Sequence, residues 1–206
     1  GGAPVSDSPD LSHFVQHRQL DVYEQGVARR GYAYGVDLRR SRWLASSTVG
    51  NTLVRAVDRA WPELSRRLME EAFEDGRRAP AALLRELSQH LRLLRAPLPT
   101  VRVLEPEQRG RWPIATALGA TRGGSLWLIL DVESLLALPQ PLRAFYLGAA
   151  LGHLHCDHAV FFSAHLIAGR REGKLGARSV ARLLAPWTRV MTFSADRAGL
   201  LCCNEL

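Results

Sequence analysis

Apolar residues recur at helical spacing over residues 50–74, where Leu53, Val54, Val57, Ala60, Trp61, Leu64, Leu68 and Ala72 form one stripe. Residues 14–30 show the same spacing. Gly76 and Pro80 then punctuate a turn, and "APAALLRELSQHLRLLRAP" predicts a second amphipathic helix closed by Pro97. His90, set among the leucines and arginines of that helix, reads as a surface or helix-packing residue. The period then shortens. Residues 98–105, "LPTVRVLE", alternate apolar and polar positions and predict a strand. Residues 112–131 predict two short strands joined at Gly123-Gly124, the second buried on both faces. Asp131 is placed to cap a short helix that Pro139 and Pro141 interrupt. From Leu142 a long helix is expected to run to about Ala168, followed by a charged, Gly-rich bend over 169–176 and two further helices. Helices, a small sheet and more helices make an α+β domain. Residues 1–12, rich in Gly, Pro, Ser and Asp, are expected to be disordered. Residues 13–97 form a helical region, expected to join residues 98–206 in one compact domain.

Composition narrows the class. The 206 residues, 47% hydrophobic and 23% charged, are enough to bury a core without disulfide or metal staples. The longest apolar stretches, 126–138 and 142–154, are interrupted by Asp131, Glu133, Arg143 and His153, so no membrane span is expected. No signal peptide is expected from the opening residues. Three cysteines, two of them adjacent (Cys202 and Cys203), suit a reducing compartment better than a disulfide framework, so the expected location is the cytoplasm. The net charge of +7 invites a nucleic-acid reading. Against it, Lys174 is the sole lysine and the arginines are scattered, as in GC-biased bacterial composition, without the aromatic interleaving that stacks bases.

The chemistry concentrates in "FYLGAALGHLHCDHAVF", residues 145–161, with His153, His155, Cys156, Asp157 and His158 inside six positions. His155 lies about 160° round a helix from His153, so the cluster cannot converge on one ion. Together with the preceding "SLWLIL" strand and the later "PWTRVMTFSADRAGLL", this region resembles the zinc metallopeptidases of the CAAX prenyl protease and HtpX-like kind, of gluzincin (minigluzincin) fold. The resemblance covers residues 98–203, and "FSADRAGLL" is its most specific part. It implies a zincin-like domain in which one helix carries His-Glu-x-x-His and a later helix supplies a glutamate. Two histidines at i and i+4 share a helix face and can hold one zinc, and the glutamate after the first activates the zinc-bound water.

Set on that pattern, the chain reads Ala149-Ala150-Leu151-Gly152-His153. The first ligand position is Ala149 and the general-base position is Ala150. The third ligand position, four residues before Asp196, is Thr192. Only His153 of the implied ligands remains, and one imidazole cannot make a catalytic zinc site, which uses three protein ligands. The expectation is therefore a noncatalytic metallopeptidase-like domain, a pseudopeptidase, with no cofactor. It would bind a protein or peptide partner through the old cleft, adding a strand at the sheet edge, or through an apolar surface. Asp196, Arg197 and His158 are expected to be supporting or structural residues, Asp196 as a hydrogen-bond partner of His153. A shifted metal set of His153, Asp157 and Asp196 is the stereochemical alternative. Two other functions stay open: an active zinc metalloendopeptidase with an unconventional or partner-completed site, and a basic nucleic-acid-binding module.

Overall fold

The computed structural model describes residues 46–120, 126–170, 191–192 and 194–203. The expected disorder of residues 1–12, the helix over 14–30, the Gly123-Gly124 turn and most of the 169–176 bend fall outside them.

The first stripe forms helix α1 (Thr48–Glu71), opened by Ser47, whose hydroxyl accepts from the Gly50 N–H at 3.0 Å. Its buried positions, Leu53, Val57, Trp61, Leu64 and Leu68, hold the helix together through Pro62, a residue that would break a solvated helix. The helix stops earlier than its apolar pattern suggests. Phe73 leaves it to open a three-residue strand, β1 (Phe73–Asp75), and stacks edge-on to Trp112 and Trp127 at ring-centroid distances of 5.0 and 6.2 Å. Gly76 follows because a Cβ there would lie 2.5 Å from the Val101 carbonyl oxygen. Helix α2 (Ala81–Leu94) then buries Leu83, Leu87, His90 and Leu94 along one face and ends at Arg95 in the left-handed conformation.

Strands β2 (Thr100–Leu104), β3 (Ala115–Gly119) and β4 (Leu126–Leu130) complete a mixed sheet of order β1-β2-β4-β3. Among the described residues only the β2–β4 pairing is parallel. Central strand β4 is apolar on both sides because both sides are covered. Trp127 and Ile129 pack with α1 and with α5 (Ala159–Gly169), while Leu128 and Leu130 pack with α2 and with α4 (Gln140–His155). Between β4 and α4, Asp131 caps the short α3 (Val132–Ala137) by accepting from Ser134 N–H. A last helix, α6 (191–192 and 194–203), lends Ala198 and Cys202 to the α4 side. The architecture is α+β, mainly helical, and among the described residues no helix is long and apolar enough to cross a membrane.

The single helix expected from Leu142 to Ala168 is in fact two. Asp157 adopts φ 61°, and the His158 and Asp157 N–H groups donate back to the carbonyls of His153 and Leu154 at 2.9 and 3.2 Å, a Schellman ending. The break has a topological reason. Helix α4 belongs to one face of the sheet and α5 to the other, so the chain must turn around edge strand β3 between them.

That edge is partly sealed. The Ser163 hydroxyl of α5 accepts from Gly119 N–H at 2.9 Å and donates to the carbonyls of Gly119 and Ala159 at 2.7 and 3.0 Å. Ala117 of β3 is also buried, at 2% exposure. Replacing Ser163 with alanine strands two buried peptide groups of Gly119 and is expected to destabilise the fold by about 1–3 kcal/mol in urea unfolding.

Candidate functional site

The site begins with a close helix crossing. A Cβ built on Gly152 would lie 2.6 Å from the Ala198 Cβ and 3.3 Å from the Ala195 Cα, and one on Gly148 would lie 2.7 Å from the Cys202 Sγ. On the other helix, a Cβ on Gly199 would meet the Phe145 carbonyl oxygen at 2.7 Å. Contacts that advance along α4 therefore retreat along α6, and the two helices run antiparallel. Only glycines admit this approach.

The crossing fixes which residues face outward. At 100° per residue, Leu142, Tyr146, Ala149 and His153 fall within about 60° of arc on α4, beside the face that meets α6. On α6 the corresponding flank carries Thr192, Asp196, Gly199 and Cys203. The contact between Phe145 and Gly199 puts both flanks on the same side of the pair. Positions 149, 153 and 192, singled out from sequence as metal-ligand positions, thus share one side of one crossing. Leu142 and Tyr146 are exposed at 44% and 39%, Thr192 is exposed, and Ala149, His153 and Asp196 are half-buried. Ala150, the general-base position, is 3% exposed, within the core that also holds Ala117 and Leu128.

His153 is held firmly. Its Nδ1 lies 2.8 Å from Nδ1 of His158, one ring donating and the other accepting, and the edge of Phe162 meets it at a ring-centroid distance of 4.8 Å. His158 is itself fully buried at the start of α5. The Schellman turn that lets the chain round the sheet edge therefore also supplies the partner of His153. An imidazole fixed at Nδ1 is how metal sites orient their histidines, through Nδ1 while Nε2 faces the ion. The Nδ1 partner is His158. Asp157, placed by sequence one helical turn after His153, stands beyond the helix end and is exposed. Among the described residues no three His, Cys, Asp or Glu side chains are gathered to hold a metal ion, the set of His153, Asp157 and Asp196 included. His155 is buried, and His165 is exposed on α5. Arg197 is exposed on α6.

The cysteines take packing roles. Cys202 is fully buried against Gly148, and burial, followed by the neighbouring Cys203, pushes its thiol up to about 12, so it stays protonated. Trp61 is core, edge-on to Trp127 at 5.1 Å. Sequence reasoning missed the Tyr146 and Leu142 exposure, for which the periodicity of an all-apolar helix carries no signal. His90 takes the helix-packing alternative, and the Glu86 carboxylate beside it was not foreseen.

Gly152→Ala is expected to destabilise the protein by about 1–3 kcal/mol in urea unfolding, because the added methyl meets Ala198 with no room to yield. Gly169→Ala, where nothing lies within 4 Å, is the control and should be neutral or gain up to about 1 kcal/mol. Compared with known proteins, the chain matches no protein-family model, no curated protein and no solved structure.

Proposed function

We propose that this chain is a noncatalytic, metallopeptidase-like domain of zincin (minigluzincin) kind, a pseudopeptidase that binds a protein or peptide partner on the open side of the α4/α6 crossing. The order of elements supports the kinship: a small sheet, then a helix with the retained histidine, then a later helix crossing it closely.

One observation carries the absence of catalysis. On the shared side of the crossing, the two positions that should accompany His153 are Ala149 and Thr192, neither of which brings an imidazole or carboxylate. The base position, Ala150, is a methyl group sunk in the core. At that position nothing can take a proton from a water attacking a peptide bond, the role the glutamate plays in the implied pattern. The His153–His158 contact is what remains of the support for a metal-binding imidazole.

Binding is assigned to the same flank because it carries exposed apolar side chains. Leu142 and Tyr146 continue the line of Ala149 and His153 toward the start of α4. An exposed tyrosine backed by an aliphatic neighbour is the kind of anchor on which interfaces concentrate their energy. Phe145 lies edge-on to Tyr146 at a centroid distance of 5.8 Å and steadies it.

The test is selection from a displayed peptide library followed by prolonged incubation of the selected peptides with the protein. The expected result is binding that Tyr146→Glu weakens at least about tenfold, with every peptide recovered intact. Cleavage abolished both by a chelator and by His153→Ala would contradict the proposal.

A further inference from the structure

Away from that flank, the first turn of α4 is tied to α2 through charge. Arg143 Nε donates to Glu86 Oε2 at 2.8 Å, and its Nη1 donates to the Leu138 carbonyl at 3.2 Å. One turn further along α2, His90 Nε2 stands 3.6 Å from the other oxygen of the same carboxylate, Glu86 Oε1. The three side chains are 17%, 10% and 3% exposed for Arg143, Glu86 and His90. Glu86 Oε1 and His90 Nε2 are buried and make no hydrogen bond.

The charges of Glu86 and Arg143 cancel. A proton added to His90 would leave a net positive charge in a setting shared with Leu83, Leu87 and Leu147. Desolvation opposes that charge, and Arg143 opposes it further; Glu86 alone favours it. We propose that Arg143, Glu86 and His90 form an acid-responsive joint: with His90 neutral, α2 holds the first turn of α4, and protonation of His90 loosens that hold on the helix that carries Tyr146 and His153. This goes beyond the binding reading and does not depend on it.

The sign follows from the cluster. Burial, the largest influence, lowers His90 below its ordinary value of 6.5, with Glu86 raising it and Arg143 lowering it in smaller measure; Glu86 from α2 and Arg143 from α4 are the charged groups that act on it among the described residues. A histidine that binds its proton more weakly when folded contributes stability that is complete above the unfolded value. That contribution is lost as pH falls below 6.5 toward the folded value.

The experiment compares urea unfolding of the whole chain and of His90→Gln at about pH 8 and about pH 5, with hydrogen exchange of the amides of residues 143–147, which bond back to the first turn of α4, corrected for intrinsic rates, at the same two values. The native chain should lose about tenfold in its folding equilibrium constant, beyond any loss in His90→Gln, for each unit from the unfolded value down to pH 5 or to the folded value, whichever is reached first. These amides should lose protection at acid pH in the native chain only. Equal pH dependence in the two proteins overturns the proposal. Should His90→Gln fail to fold, the NMR titration of His90 in the native chain decides: a midpoint below 6.5 supports the joint, and one at or above 6.5 overturns it.

Discussion

The close approach of α4 and α6 is the constraint on which the rest of the site depends. Gly148 and Gly152 put backbone against Ala198 and Cys202 where any side chain would collide. Such an approach allows little rotation of either helix about its axis, because turning α4 by one residue would bring Leu147 or Leu151 into the contact. Rotation in turn decides exposure. With the glycines inward, Leu147 and Leu151 face the sheet, and Leu142, Tyr146, Ala149 and His153 share the open flank. The identity of two small residues thus fixes which side chains of α4 face outward.

A second constraint comes from the sheet. Because β4 is apolar on both sides, it needs helices on both, and the chain has to pass from α4 on one face to α5 on the other around β3. The left-handed Asp157 makes the turn, Ser163 closes part of the edge on the far side, and His158, buried by the turn, reaches back to His153. Topology and site geometry therefore share the same few residues. The proposed pseudopeptidase reading is compatible with this: the turn that orients the His153 imidazole is also what lets the chain round the sheet, so it has a structural role whether or not positions 149 and 192 carry ligands.

Much of this was legible in the residues. The α1 stripe, the α2 stripe, the β3 and β4 strands and the Asp131 cap all rest on short-range periodicity or on a single side chain's reach, and all stand where the pattern put them. The misses are tertiary in origin. Phe73 looks like the next apolar position of a helix, and only its pairing with Leu104 and its aromatic neighbours make it a strand. The run Leu154 to Val160 keeps a helical texture, and nothing local announces that the two halves belong to opposite faces of the sheet. At the site, the shared side of positions 149, 153 and 192 was foreseeable from helix geometry once the helices were paired. The partner of His153 was not, since His158 reaches it only because the helix ends. The Glu86–Arg143 link spans 57 positions of sequence and leaves no trace in either helix pattern.

The central claim is that positions 149, 153 and 192 form the shell of a metal site without its ligands. Elemental analysis of the purified chain, after incubation with excess zinc and removal of loosely bound ions, tests it most directly. The account predicts a zinc content near zero, unchanged by His153→Ala. About one zinc per chain, lost on His153→Ala, would contradict it.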